Sequence, residues 1–189
     1  MIRVYALMLC LAASTLTIAQ ERISANSRPE DVATQQDFQS RVSKYYDLRN
    51  KLGAGDTKQT DSAKDAKARQ EQLARNIQKQ RSTAKHEDIF TDKIGEMLKR
   101  NLKATFRAGN GERIRTSLSH SEPVPKIALH VNQVYPEQVP LQSTPPTILM
   151  NLPRLPKGLE YRFVGRDLIL YDSATNLIVD YLHEALPSR

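Results

Sequence analysis

The sequence predicts an α+β fold in which N-terminal helices pack on a small C-terminal antiparallel β-meander. Apolar side chains recur at helical spacing through residues 34–119, which we assign to a helical region. From Gly158 onward, apolar and polar residues alternate as they do in strands, and two turn signals interrupt the alternation. A meander of this size is not stable unless its apolar face is covered. We therefore expect the helices and the meander to form one body.

The N-terminus carries a predicted secretory signal, residues 1–19. The positive charge of Arg3 precedes an apolar run over residues 4–13, and small residues lie just before Gln20, where we expect cleavage. A membrane span needs about 20 apolar residues, so no transmembrane span is expected once the signal is removed. The alternative is that the signal is retained as an N-terminal anchor. We expect the protein to be exported, and to be periplasmic or secreted.

Cysteine usage limits the chemistry of the mature chain. Cys10 is the only cysteine and lies within the predicted signal. The mature chain therefore has no disulfide, no thiol nucleophile and no thiolate metal ligand. Tryptophan is absent as well, so we expect a core built mainly from Leu, Ile, Val and Tyr.

The first predicted helix follows a segment without periodicity. Residues 20–33 mix charged residues with Ser, Asn and Pro, and we predict a flexible mature N-terminus there. The helix is predicted to begin after an N-cap at Thr34 and to end at the glycines that start with Gly53. Its apolar stripe consists of Phe38, Val42, Tyr45 and Leu52.

Two further long helices are predicted in the middle of the chain. One covers residues 60–85 and has a thin apolar stripe, so it must pack on neighbouring elements. The other follows an N-cap at Thr91 and stops at the glycines of residues 109–111, and a short helix is predicted over residues 112–118. The apolar stripe of the longer helix consists of Ile94, Met97, Leu98, Leu102 and Phe106.

Residues 120–189 contain a predicted proline-rich lead and the β-meander. Alternation over residues 127–131 predicts a strand that joins the sheet. The pair Gly165-Arg166 predicts a tight turn, and Asp172 with the small polar residues after it predicts a second turn. These turns divide residues 158–182 into three strands.

The basic excess of the chain is concentrated in its middle. Residues 58–115 carry fifteen basic and eight acidic residues, whereas the rest of the mature chain is close to neutral. For an exported protein the expected anionic partners are envelope lipids and polysaccharides, and nucleic acid is not expected. A solvated helix surface without a partner is the alternative. The candidate anion or partner surface consists of Lys93, Lys99, Arg100, Lys103 and Arg107.

Motifs for catalysis or metal binding are weak. Ser82 and Lys85 match the S-x-x-K pattern of penicillin-recognising enzymes, but the S-D-N and K-T-G motifs that complete such a pocket are missing. The four histidines form no H-E-x-x-H motif and no close pair in sequence. We therefore expect no cofactor and no metal, and a non-enzymatic role is favoured.

A second candidate site lies in the meander. Tyr161, Arg162 and Asp180 would form a small-ligand or enzyme site if they converged in one pocket. Arg162 and Arg166 are candidate anion contacts on an exposed sheet face, or they protect a sheet edge from pairing. Asp180 is expected to point to the solvated side of its strand, and Asp172 is expected to serve its turn.

The phrase YRFVGRDLILYDSATNLIVDYL, residues 161–182, resembles the C-terminal signature of a family of uncharacterised secreted bacterial proteins. The stretches LHVNQVYPEQVPL and PPTILMNLPRLP fall in the order expected for that family. More distantly, the hairpin pattern resembles small periplasmic β modules, some of unknown function and some tied to nickel and cobalt homeostasis. The resemblance implies an exported α+β protein and assigns no reaction, catalytic residue or cofactor.

Together these observations favour an exported, non-enzymatic protein of the periplasm or envelope that acts as a protein-interaction or structural module. One alternative is a small-ligand binder or enzyme whose site uses the Tyr, Arg and Asp residues of the meander. Another is a binder of anionic envelope surfaces through the basic helices. The expected partner is accordingly an envelope protein or an anionic envelope surface.

Overall fold

A computed structural model describes residues 29–54, 62–119 and 127–187 of the protein. The predicted signal, residues 1–19, lies outside the described residues. Helices occupy the N-terminal and middle parts of the described chain and an antiparallel sheet occupies the C-terminal part, which confirms the predicted α+β fold class. No helix in these ranges is long and apolar enough to cross a membrane.

The described part of the chain contains the α-helices α1 Pro29–Arg49, α2 Ala63–Gln80, α3 Asp92–Thr105, α4 Gly111–Ser119 and α5 Pro146–Leu149. Helix α1 begins earlier than predicted, so residues 29–33 are helical and do not belong to a flexible terminus. Thr34 is not the N-cap, because its hydroxyl donates to the Glu30 carbonyl oxygen (2.8 Å) from inside the helix. A proline at the first position and acidic residues in the first turn explain the early start.

The glycine-rich helix ends behave differently from one another. Gly53 ends the short turn Asn50–Ala54 after α1, as predicted, with a φ of 112° that favours glycine. Gly111, in contrast, joins two helices, because α3 continues through the turn Phe106–Asn110 directly into α4. A Cβ atom on Gly111 would lie 2.5 Å from the carbonyl oxygen of Phe106. The missing side chain therefore allows the two helices to follow each other so closely.

The sheet contains four antiparallel strands in the order β1 Gln142–Ser143, β2 Leu159–Val164, β3 Asp167–Asp172 and β4 Leu177–Leu182. The two predicted turns are present. Gly165, with a φ of 61°, and Arg166 connect β2 to β3. In the next turn the carboxylate of Asp172 accepts the Ala174 N–H (3.0 Å). The meander is thus formed as predicted, whereas β1 is too short for its alternation to be seen in the sequence.

The strand predicted at residues 127–131 is wrong, because these residues form no strand. Residues 127–141 instead cover the face of the sheet that is turned away from the helices. Three backbone hydrogen bonds around the isolated bridge between Val134 and Leu177 tie this segment to β4 and the turn before it. The Asn132 N–H donates to the Ile178 carbonyl oxygen (2.8 Å), the Ile178 N–H to that of Gln133 (2.9 Å) and the Tyr135 N–H to that of Asn176 (2.8 Å). Pro136 lies soon after that bridge, and a proline has no N–H with which to extend such a ladder.

The sheet is consequently buried on both faces. The larger core lies between the helices and the sheet, where Phe38 and Leu98 pack with Phe163 and Leu170. A smaller core lies between the other face and residues 127–141. A fully buried Leu, Ile or Phe side chain stabilises a fold by about 1.5–3 kcal/mol. The sheet is therefore the central layer of the molecule and not a half-solvated cover.

Candidate functional site: the basic face of helix α3

Helix α3 presents an apolar face to the core and a charged face to solvent. Ile94, Leu98 and Leu102, spaced by four residues, have no solvent exposure. The opposite positions are exposed and carry most of the cations of this region. Because residues three, four and seven apart share one side of a helix, these cations form one stripe, which we call the α3 basic face: Lys93, Lys99, Arg100, Lys103 and Arg107.

Among the described residues, four of the five cations of the α3 basic face have no acidic partner. Arg100 forms an ion pair with Asp31 of α1. The other four cations form no ion pair within the described part of the chain. Glu96 is the only acidic residue between Lys93 and Arg107. The face therefore keeps a positive potential toward solvent.

A shallow, open groove marks the C-terminal end of the α3 basic face. It is lined by Arg100, Lys103, Ala104, Arg107 and Ala108. The alanines leave space between the long cationic side chains. A guanidinium group binds phosphate or carboxylate oxygens through paired N–H donors, and an ammonium group adds a compact positive charge. The groove can thus receive an anionic group of a larger partner.

Buried charges elsewhere in the molecule have structural partners. Asp172 accepts hydrogen bonds from the Arg49 guanidinium (3.0 Å) and from the Tyr45 hydroxyl (2.7 Å). Arg49 also donates to the Lys157 carbonyl oxygen (2.8 Å). Burial and the nearby carboxylate of Asp172 raise the pKa of Tyr45 well above 10.0, so the hydroxyl remains a neutral donor. These bonds fasten α1 to the end of β3.

Asp180 is fully buried, which corrects the solvated position predicted for it. A bulge in β4 explains the difference. Leu170 pairs with Asp180 but the next residue, Tyr171, pairs with Ile178, so Val179 is an extra residue in the strand. A bulge reverses which residues face each side of a sheet. Asp180 therefore points toward the helices, on the same side as its partner Leu170.

The carboxylate of Asp180 holds the loop between α2 and α3. It accepts the backbone N–H groups of Ile89 (2.8 Å) and Phe90 (2.9 Å). Burial raises the pKa of Asp180 above 3.8, and the backbone N–H donors oppose that shift. The loop that leads into α3 is thus fastened to β4, and the start of the α3 basic face is positioned by this contact.

The structure does not bring the predicted meander site together. Tyr161 is buried on the helical side of the sheet, and its hydroxyl donates to the Pro153 carbonyl oxygen (3.0 Å). Arg162, the next residue in the strand, points to the opposite side and forms an ion pair with Glu160. The carboxylate of Asp180 accepts hydrogen bonds from the loop before α3. The three side chains therefore do not line a common pocket.

The two arginines predicted as contacts on an exposed sheet face also have internal partners. Arg162 donates to the Ser143 hydroxyl (2.8 Å), and its side chain is only 22% exposed. Arg166 lies in the β2–β3 turn, where it donates to the Leu186 carbonyl oxygen (2.8 Å) and contacts Glu184. Both arginines therefore hold neighbouring segments in place, and neither lies on an open sheet face.

Two further groups of polar side chains lie near the edge of the sheet and after α2. Ser82 and Lys85 lie in the turn that follows α2, so they do not sit on one helical turn as the S-x-x-K chemistry requires. His86 and His183, far apart in sequence, both pack on the ring of Tyr181, with centroid separations of 4.2 and 4.9 Å. No group of three or more potential metal ligands occurs among the described residues.

Comparison with known proteins identifies no relative. The chain matches no protein-family model, no curated protein and no solved structure. The resemblance to secreted bacterial proteins therefore stays a prediction, and function has to be inferred from the geometry of the site.

Proposed function

We propose that the protein is an exported, non-enzymatic module that binds anionic surfaces of the cell envelope through the α3 basic face. The observation that carries the proposal is the exposure of these cations along one helix, four of them without an ion pair within the described residues. The buried carboxylates have another role, because Asp172 and Asp180 fasten helical segments to the sheet.

The physical basis of the proposal is long-range attraction. Each Lys or Arg close to an acidic membrane surface contributes about 1 kcal/mol to binding. The attraction is screened over about 10 Å at 0.1 M salt. Binding through the α3 basic face should therefore weaken steeply as salt is added.

The first prediction concerns removal of the unpaired charges. Replacing Lys93, Lys99, Lys103 and Arg107 together by Gln should lower the affinity of the mature protein for acidic vesicles by at least roughly tenfold. The measurement is co-sedimentation with phosphatidylglycerol vesicles at several salt concentrations. The variant should also show a weaker dependence on salt, because fewer ion contacts are made.

A matched control is available on α1, the turn that follows it and α2. Lys44, Lys51, Lys64 and Lys79 are exposed, and replacing them by Gln changes the net charge by the same amount. This control should bind nearly as well as the unmodified protein. Equal losses in both variants would show that net charge alone acts, and would contradict the proposal.

The main competing role is a protein-interaction module. If the mature protein failed to bind acidic vesicles but crosslinked to one envelope protein through the α3 basic face, the anionic-surface proposal would be overturned in favour of that role. Binding to acidic vesicles that is independent of salt would also argue against it.

A further inference from the structure

Next to α3, the structure exposes two adjacent apolar side chains. Helix α5 packs on α3 and buries Ile148 in the main core. The two residues that follow are turned outward, with Leu149 44% and Met150 83% exposed. Side by side, they form a small exposed apolar patch.

Backbone hydrogen bonds close the turn at the exposed tip. The Met150 N–H donates to the Pro146 carbonyl oxygen (3.0 Å), and the Asn151 N–H to that of Ile148 (2.9 Å). Leu152 follows and is buried again. The chain therefore leaves the core for a single short hydrogen-bonded turn, in which Leu149 and Met150 are exposed.

The segment that carries the tip has charges of one sign only. Residues 138–159 contain no Asp or Glu. Their only charged side chains are Arg154 and Lys157, and both are exposed. The neighbouring helix α3 adds its basic face. An apolar tip in a segment with only basic charges, packed on a helix with a basic face, is complementary to an acidic lipid surface, where charges meet head groups and apolar side chains reach the acyl boundary.

We propose that Leu149 and Met150 insert into the surface of an acidic lipid bilayer while the α3 basic face contacts the head groups. This inference rests on the proposed function and names the bilayer as the anionic surface. In this arrangement the protein is attached at the membrane interface. The two side chains enter the outer part of the bilayer, and no segment of the described chain spans it.

The absence of tryptophan from the chain allows a direct test. Met150→Trp introduces a single tryptophan at the tip, and its emission can be excited apart from that of the seven tyrosines. Because Met150 is 83% exposed, the change should leave the core unaffected. On vesicles of phosphatidylglycerol and phosphatidylcholine in equal parts, its emission should shift to shorter wavelength and be quenched by brominated acyl chains. Gln133→Trp is the control, because Gln133 is exposed in the segment on the opposite side of the sheet, and its emission should not change.

A second variant measures the contribution of the tip to affinity. Leu149→Ser combined with Met150→Ser should weaken vesicle binding by roughly tenfold, because less apolar area enters the bilayer. Val134→Ser, at the remaining exposed large apolar residue of the described chain, should leave binding unchanged.

The outcomes separate this inference from the proposed function. Salt-dependent binding with unchanged Met150→Trp emission would overturn insertion and leave the charge-based function standing. Equal spectral shifts at positions 150 and 133 would overturn the assigned orientation. No binding to acidic vesicles would overturn both proposals.

Discussion

At the scale of single residues, Asp172 and Asp180 are carboxylates with no solvent exposure. A buried charge is costly unless other groups compensate it. For Asp172 the compensation comes from the Arg49 guanidinium and the Tyr45 hydroxyl, and for Asp180 it comes from backbone N–H groups. Each carboxylate thus requires one particular docking of a helical segment, and each docking supplies the groups that the carboxylate needs.

Removing the carboxylate of Asp180 tests this dependence. In Asp180→Ala the N–H groups of Ile89 and Phe90 lose their acceptor while they remain buried, at a cost of about 1–3 kcal/mol for each group. We expect the free energy of unfolding, measured by urea titration, to fall by about 2–5 kcal/mol. Asp47→Ala, at an exposed position of α1, should change it by less than about 0.5 kcal/mol. A similar small change in both variants would contradict the role of Asp180.

The raised pKa of Asp180 predicts how stability depends on pH. Because the pKa is higher in the folded protein than the ordinary 3.8, the folded state takes up a proton before the unfolded chain does. The contribution of this group to the free energy of unfolding should therefore increase as pH falls through the folded pKa, and be complete below 3.8. Asp180→Asn lacks this titration.

The measurement is the difference in unfolding free energy between the unmodified protein and Asp180→Asn, followed from neutral pH downward. Groups that titrate in both proteins cancel in the difference. We expect the difference to change in favour of the unmodified protein as pH falls. A constant difference would show that the N–H donors balance burial, and a change in the opposite direction would show that they outweigh it. Either result would contradict the raised pKa of Asp180.

At the scale of secondary-structure elements, the junction between α3 and α4 depends on one missing side chain. In Gly111→Ala the new Cβ atom would lie 2.5 Å from the carbonyl oxygen of Phe106, a backbone atom that moves only with its helix. We expect the variant to lose about 1–3 kcal/mol of unfolding free energy, although alanine favours helix. Ala108→Ser, an exposed change in the same turn, should be nearly neutral. Increased stability of Gly111→Ala would show that the junction relaxes freely.

The outer edge of β4 shows a second element-scale feature. The Arg81 guanidinium donates to the Val179 carbonyl oxygen (3.3 Å), and the Nε2 atom of His86 lies 3.1 Å from the Tyr181 carbonyl oxygen. A strand at the edge of a sheet otherwise presents these carbonyl groups to another chain. Side chains from the end of α2 and the following loop therefore cover the edge where residues 127–141 do not.

At the scale of the whole molecule, the apolar cores lie on the two faces of the sheet, and the basic side chains of α3 lie on the outer surface of the helical layer. The sheet is covered by residues 127–141 on one side and by the helices on the other. The α3 basic face and the tip of α5 belong to the helical side. A molecule arranged in this way can meet an acidic bilayer with its helices while the opposite layer remains in water. The paired tryptophan probes at positions 150 and 133 measure this orientation.

Much of this arrangement is determined by local sequence. The apolar spacing of α3 requires one buried and one exposed face, so the cations from Lys93 to Arg107 had to form a stripe wherever the helix packed. Gly165 and Asp172 specify turns through backbone and side-chain preferences that act within a few residues. For these elements the periodicity and the turn residues are sufficient evidence.

Only the tertiary structure decided the features that depend on distant partners. The bulge at Val179 turns Asp180 inward, and the loop before α3 supplies its hydrogen bonds, yet no local pattern in β4 marks an extra residue. Residues 127–131 alternate like a strand, but the cover they give to the far face of the sheet determines their conformation. Alternation of apolar and polar residues shows only that a segment has an apolar side. Long-range contacts determine whether that segment pairs with a sheet as a strand or packs on the face of the sheet.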